Sequence, residues 1–161
     1  MIRVRVIGLG SPYGDDRIGW DAVRALEACG LFERFPAGAV EACCCDRPGA
    51  LPGLLKDTDA AIVIDAMRGG RAPGTVRRLA ARELALEHRF LSSHGISVAE
   101  TIALGAALGT LPDILVIHGI EVLGAAPGTE PDPRVLAAIP AVQHLVAEEL
   151  ERLFGGSSGR D

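Results

Sequence analysis

The segment AAIVID, residues 60–65, is apolar at five consecutive positions and then ends in an acid. A strand that is apolar on both faces is typical of the centre of a parallel sheet, because helices cover such a sheet on both sides. Strand-like and helix-like segments alternate along the rest of the chain. This alternation predicts an α/β fold, a three-layer αβα sandwich with a twisted, mostly parallel sheet.

Length and composition agree with one domain of this kind. Of the 161 residues 48% are hydrophobic but only 4% aromatic, so the core must consist of Ala, Val, Leu and Ile. The net charge of −5 offers no basic surface for nucleic acid. No apolar run approaches the roughly 18 residues of a membrane span, and the first residues lack a signal peptide pattern. We therefore expect a cytoplasmic protein with a single domain over residues 1–154 and a disordered tail over residues 155–161.

Helix boundaries follow from hydrophobic spacing and from residues that begin or interrupt helices. Apolar residues recur at helical spacing over residues 18–29, and Asp132 precedes a proline as a helix start. Ser97 and Glu100 form a capping box, so Glu100 has a structural role and is discounted as a catalyst. Pro140 should interrupt the last helix. The predicted strands are residues 2–9, 39–45, 60–65, 75–79 and 113–120, and the predicted helices are residues 18–29, 50–55, 80–88, 97–108 and 132–154.

The first strand runs into a glycine turn that carries two acids, in the stretch VIGLGSPYGDDRIGWDAV. Gly8, Gly10 and Gly14 give the pattern G-x-G-x-x-x-G after a strand, which is similar to a dinucleotide-binding turn. Asp15 and Asp16 argue against a nucleotide, because carboxylates at a helix start repel the pyrophosphate that would bind there. We interpret the turn as one that presents acids. A Rossmann-like nucleotide-binding protein that uses the Gly8–Gly14 turn is the alternative.

Three polar residues are predicted at one edge of the sheet, because open α/β sheets bind ligands beyond the carboxyl ends of their strands. Asp16 follows the first strand, Asp65 is expected at the carboxyl end of the third, and His94 precedes the capped helix. Two carboxylates and one imidazole can bind a divalent transition metal, or the two aspartates can share a proton without metal. Spacing does not separate these mechanisms. His118, with Glu121 close by, could line the same cleft, but a role in the core or at the rim is favoured.

Four stretches together carry a family resemblance: GLGSPYGDDRIGWDAV, VIDAMRGGRAPGTV, SSHGISVAETIALGAALG and PDILVIHGIEV, in this order. Each motif alone would be weak, since glycine turns and strand-ending aspartates are common, whereas four in order are specific. The chain resembles the hydrogenase maturation endopeptidases, which trim the large subunit of nickel-iron hydrogenases. The resemblance extends over residues 4–154, almost the whole chain.

This resemblance implies a monomer with a five-stranded sheet, which removes a C-terminal extension from the precursor once nickel has been inserted. The metal-contacting residues of the family map onto Asp16, Asp65 and His94, and the sequence pattern indicates the same three. The precursor would supply the nickel, and another divalent metal could occupy the site of the isolated protein. Asp15 is then a charge at the helix start or a partner of the metal ligands. A non-catalytic, nickel-dependent maturation chaperone with the same ligands is a further alternative.

One loop departs from the pattern of the family. Relatives usually carry a Gly-Gly-Thr turn after the second strand, whereas this chain has ACCCDRPGAL at residues 42–51. Cys43, Cys44 and Cys45 fit neither a disulfide framework nor paired zinc ligands, so we expect small buried residues in a reduced protein. Cys45 and Asp46 could also face the cleft, where a thiolate would bind metal.

Overall fold

A computed structural model describes residues 1–84, 97–124 and 130–156. Within these ranges the strands are β1 (Val4–Leu9), β2 (Val40–Cys45), β3 (Ala60–Met67), β4 (Val76–Ala80) and β5 (Ile114–Glu121). The helices are α1 (Ile18–Ala28), α2 (Leu51–Leu55), α3 (Ala81–Leu84), α4 (Val98–Leu108), α5 (Pro133–Leu136) and α6 (Ile139–Gly155). The strands form one sheet in the order β2-β1-β3-β5-β4, and each neighbouring pair is parallel except β4 and β5. The predicted five-stranded, mostly parallel sheet is confirmed.

Helices cover both faces of this sheet. On one face Ile64 of β3 is buried in a cluster with Leu26 of α1 and Val146 of α6. On the other face Val63 of β3 is buried with Ile102 of α4 and with apolar residues of α2. Side chains alternate across a strand, so an apolar run such as that of β3 is buried on both sides. The predicted three-layer sandwich is therefore confirmed.

The predicted helix boundaries are confirmed where local signals set them. At the start of α4 the N–H of Glu100 donates to Ser97 Oγ at 3.1 Å, and the N–H of Ser97 donates to the Glu100 carboxylate at 2.8 Å. Gly109 follows the helix with φ of 65°, and Gly30 follows the end of α1 with φ of 70°. Both lie in the left-handed region that favours glycine. Pro140 lies in the first turn of α6, where a proline is tolerated, and α5 ends before it.

The predicted end of the third strand is wrong, because β3 continues beyond Asp65 to Met67. Met67 pairs with Glu121 of β5, and both Ala66 and Met67 are buried, so apolar burial extends the strand past the acid. Asp65 lies two residues inside the strand. Since Val63 and Met67 face α2 and α4 and side chains alternate, Asp65 faces the same side of the sheet.

Some predictions fall at or beyond the limits of the described residues. No helix in the described ranges is long and apolar enough to cross a membrane. The last helix ends at Gly155, and residues 157–161 of the predicted tail lie outside those ranges. The predicted helix over residues 80–88 is described only as far as Leu84. The domain boundary at residue 154 and the disordered tail stay predictions.

Candidate active site

There is no room for a side chain at Gly8, near the end of β1, or at Gly10, in the turn that follows the strand. A Cβ on Gly10 would lie 2.3 Å from the backbone oxygen of Asp16, and a Cβ on Gly8 would lie 2.3 Å from that of Gly19 in α1. The chain therefore folds back closely onto a 3-10 turn, Gly14–Arg17, before α1 begins. Both glycines allow strand, turn and helix to approach, and this packing places the two acids of the turn at the carboxyl edge of the sheet.

Asp15 is an anchor for the loop that follows β5. Its side chain is buried, and its Oδ2 accepts the N–H groups of Leu123 at 3.2 Å and of Gly124 at 3.4 Å. Its Oδ1 accepts the N–H of Asp132 at 2.7 Å. Charge-assisted hydrogen bonds of this kind are stronger than neutral ones. Asp15 thus ties two distant segments to the turn, a role that neither interpretation from the sequence included.

Asp16 and Asp65 lie close enough for the charge of one to act on the other. Burial raises the pKa of Asp65 to about 8, and the negative charge of Asp16 contributes to the increase. The N–H of Ala66, which donates to Asp65 Oδ1 at 2.8 Å, acts in the opposite direction. Near neutral pH Asp65 is therefore mainly a carboxylic acid that lies beside the carboxylate of Asp16.

This arrangement allows two kinds of chemistry. A carboxylic acid next to a carboxylate can give and take protons during hydrolysis, as in peptidases that use an aspartate pair. Alternatively, Asp16 and Asp65 would help to hold a divalent cation, whose charge would offset their repulsion and favour the ionised form of Asp65. Carboxylate oxygens are suitable ligands for divalent metals, so the two residues fit a metal as far as their donor atoms are concerned.

The third predicted residue, His94, lies outside the described residues, and its approach to the aspartate pair stays a prediction. In the part of the chain that the structure describes, no three side chains of His, Cys, Asp or Glu are grouped to hold a metal. The structure thus brings together Asp16 and Asp65, two of the three predicted site residues.

The loop after β2 borders the aspartate pair through Cys45. This cysteine is buried, its Sγ donates to the carbonyl of Arg47 at 3.0 Å, and its own carbonyl accepts from Gly10 at 3.0 Å and from Trp20 Nε1 at 3.1 Å. Burial raises the pKa of the Cys45 thiol, and the charge of Asp65 also raises it. The neutral thiol is therefore favoured, and its contacts are those of a packed structural residue rather than of a thiolate ligand.

The expectation that all three consecutive cysteines are buried is correct only for Cys45. Cys43 is half-buried and Cys44 is exposed, because β2 is an edge strand that is covered less completely than the central strands. Asp46 and Arg47 follow as exposed side chains and form an ion pair at 3.4 Å.

His118 belongs to the core, and the alternative that it lines the cleft is wrong. It is fully buried, and neither ring nitrogen has a hydrogen-bond partner among the residues that the structure describes. Burial lowers its pKa to about 4, against the opposing effect of Glu149 in α6. Arg78 of β4 pairs with His118 across the strands and forms an ion pair with Glu149. This cluster lies between the sheet and α6, on the opposite face from Asp65.

Glu121 is a polar residue near the site whose role the sequence does not reveal. It is only 2% exposed, and its Oε1 accepts the N–H of Gly69 at 2.5 Å. Within the described ranges its Oε2 has no hydrogen-bond partner. Glu121 pairs with Met67, which lies two residues beyond Asp65. This pairing is the signal that could have indicated the contact of Glu121 with the loop after β3. Only correct pairing of β3 with β5 reveals this signal.

Solved structures of maturation endopeptidases share this architecture. The hydrogenase maturating endopeptidase HybD from Escherichia coli is 25% identical with a TM-score of 0.77, over 94% of this chain and 93% of that one. An endopeptidase from Escherichia coli, solved in solution, is 25% identical with a TM-score of 0.80, over 99% and 96%. The nickel-iron hydrogenase maturation protease HycI from Thermococcus kodakarensis is 19% identical with a TM-score of 0.66, over 92% of each chain, and supports the fold alone.

The sequence comparison agrees with the structural one. Residues 48–149 match the family model HycI, hydrogenase maturation protease, a range that includes Asp65 and His94 but begins after Asp16. No curated protein matches the sequence. Because the family model covers more than half of the sequence, the chain belongs to the hydrogenase maturation protease family, a family of peptidases.

Proposed function

We propose that this chain is an endopeptidase that removes the C-terminal extension of a nickel-iron hydrogenase large-subunit precursor after nickel insertion. Asp16, Asp65 and His94 engage the metal in this proposal. Its main structural support is the electrostatic coupling of Asp16 with Asp65 at the carboxyl edge of the sheet. Membership in the maturation protease family and the similarity to an enzyme described as a hydrogenase maturating endopeptidase agree with it.

The aspartate pair provides a physical reason for a dependence on nickel. Burial makes ionisation of Asp65 costly and the nearby charge of Asp16 adds to this cost, and the raised pKa of Asp65 reflects both effects. The nickel ion is part of the substrate, held in the filled precursor. When the precursor presents it, both carboxyl groups can ionise and gain an oppositely charged partner. A nickel-free precursor offers no such gain, so it should dock less well.

Peptide hydrolysis can use the same two side chains. Asp16, as a carboxylate, would accept a proton from the attacking water, and Asp65, as a carboxylic acid, would donate one toward the scissile carbonyl or the leaving amine. A bound metal ion would supply the alternative chemistry, which is polarisation of the carbonyl or activation of the water. Either mechanism requires Asp16 and Asp65 in their present arrangement. In the isolated protein another divalent metal could occupy this position.

The experiment that tests the proposal compares nickel-loaded and nickel-free precursor as substrates, with intact-mass analysis of the products. We expect loss of a C-terminal peptide from the loaded form only. The variants Asp16→Asn, Asp65→Asn and His94→Ala should abolish cleavage. The control Asp46→Asn removes an exposed carboxylate from the neighbouring loop and should leave cleavage intact. Full cleavage by Asp65→Asn or His94→Ala would contradict the assigned residues.

The same experiment, together with a thermal-shift measurement, separates the alternative functions. A maturation chaperone would bind the loaded precursor without shortening it. A nucleotide-binding protein would show a thermal shift with NAD, NADP or FAD. The close contact of Gly10 with the backbone of Asp16 argues for a packing role of the Gly8–Gly14 turn and against the nucleotide site. The proposal also includes a monomer that acts in the cytoplasm.

A further inference from the structure

The loop of residues 68–75, between β3 and β4, is held in place by Glu121. The carboxylate of Glu121 accepts the N–H of Gly69 at 2.5 Å, its carbonyl accepts the N–H of Gly74 at 2.8 Å, and its own N–H donates to the carbonyl of Thr75 at 2.8 Å. One residue of β5 thus fastens both ends of the loop. Because the loop begins three residues after Asp65, its side chains lie at the same edge of the sheet as the aspartate pair.

Two arginines of this loop carry exposed charges. Arg68 and Arg71 form no ion pair with any residue that the structure describes, although the chain has an excess of acidic residues. The guanidinium of Arg68 lies over Gly124, since its Nη2 would be 2.9 Å from a Cβ there. Most arginines elsewhere in the described ranges pair with a carboxylate, namely Arg5, Arg17, Arg24, Arg34, Arg47, Arg78, Arg134 and Arg152.

Two large side chains with apolar surface are exposed at the same edge of the sheet. Tyr13 is 49% exposed and immediately precedes the 3-10 turn that carries Asp16, whose N–H donates to the carbonyl of Tyr13 at 3.2 Å. Leu123 is 61% exposed, and the bond from its N–H to Asp15 fixes its backbone. Aromatic residues and arginines are enriched at protein–protein contact sites.

We propose that Tyr13, Arg68, Arg71 and Leu123 form a docking surface for the hydrogenase large-subunit precursor, and that carboxylate side chains of the precursor bind the two arginines. This inference rests on the proposed function, which names the precursor as the partner. The negative charge at the site and the net charge of −5 would repel an acidic segment of the precursor. The two arginines offset this repulsion at the docking surface. Guanidinium groups bind carboxylates through two parallel hydrogen bonds and attract them before contact. The surface orients the precursor and takes no part in the chemistry.

The test measures processing rates against precursor concentration for the double variant Arg68→Glu/Arg71→Glu. The matched control, Arg3→Glu/Arg82→Glu, changes the net charge equally at the opposite edge of the sheet, since Arg3 precedes β1 and Arg82 follows the antiparallel β4. We expect KM to increase about tenfold in the first variant, with kcat within about twofold, because surface charge pairs act on encounter and binding. The control should match the wild type.

Two further measurements, at different ionic strengths and on a second variant, test whether the change in KM comes from the charges of the two arginines. The KM of the wild type should increase with ionic strength, and that of Arg68→Glu/Arg71→Glu should increase less. Gly124→Ala leaves every charge in place but displaces the Arg68 guanidinium, so KM should increase by a smaller factor. Equal KM values in the double variant and its control would overturn the docking surface. Processing by the wild type in the same assay would still support the proposed function. No processing by the wild type at all would instead overturn the proposed function, and the partner named here with it.

Discussion

Asp65→Asn should stabilise the protein while it abolishes processing. Burial and the charge of Asp16 raise the pKa of Asp65 from 3.8 to about 8. The folded protein therefore keeps this group protonated at pH values where the unfolded chain has already ionised it. The free energy of unfolding consequently falls as pH rises from about 4 to about 8. Asparagine cannot ionise, so the variant escapes this loss.

The size of the effect follows from the pKa of Asp65. Each pKa unit corresponds to about 1.4 kcal/mol, so the loss is at most about 6 kcal/mol at pH 8.5 and about 2 kcal/mol at pH 5.5. The side chain keeps some contact with solvent, which reduces both values. We expect the variant to be more stable than the wild type by about 2–3 kcal/mol at pH 8.5, or roughly 5–10 °C in Tm.

Urea unfolding of the metal-free proteins at pH 5.5 and pH 8.5 provides the measurement. The stabilisation by Asp65→Asn should be clearly larger at pH 8.5 than at pH 5.5. Asp46→Asn, an exposed control in the neighbouring loop, should leave the free energy of unfolding unchanged at both pH values. A stabilisation by Asp65→Asn that is equal at both pH values, or a loss of stability at pH 8.5, would refute the reasoning.

Three further predictions concern stability. Asp15→Ala leaves three backbone N–H groups without their acceptor, so urea unfolding should show a loss of about 2–4 kcal/mol. His118 has a pKa lowered from 6.5 to about 4, so its contribution to stability is complete above pH 6.5 and is lost as pH falls toward 4. His118→Leu should flatten this part of the stability profile, and an unchanged slope would contradict the assignment. Gly19→Ala places a Cβ 2.0 Å from the backbone oxygen of Leu9, so circular dichroism should show unfolding at a temperature well below that of the wild type.

Local signals allowed much of the fold to be predicted from the sequence. The capping box at Ser97 and the glycine after α1 determine helix ends through contacts within a few residues. The continuous apolar run of β3 specifies a strand that is buried on both faces. The end of β3 was mispredicted because an acid usually terminates such a run, whereas pairing of Met67 with Glu121 continues the strand.

Candidate site residues could be predicted where they follow strand ends, because the carboxyl ends of parallel strands meet at one edge of the sheet. This rule identified Asp16 and Asp65 as neighbours from their positions alone. It could not assign Asp15, which accepts bonds from Leu123 and Asp132, residues 108 and 117 positions away in the sequence. It also could not distinguish His118 in the core from a residue of the cleft, because one position along a strand exchanges the two faces of the sheet.

The sequence by itself determined the α/β class, the order of its elements and the acids that the glycine turn presents, since these depend on periodicity and on local backbone chemistry. Only the tertiary structure decided that Asp15 is an anchor, that Asp16 and Asp65 interact, and that Arg68 and Arg71 form no ion pair within the described part of the chain. Burial and electrostatic coupling depend on distances between segments far apart in the chain, and the free energies that shift the pKa of Asp65 exist only once those segments have packed together.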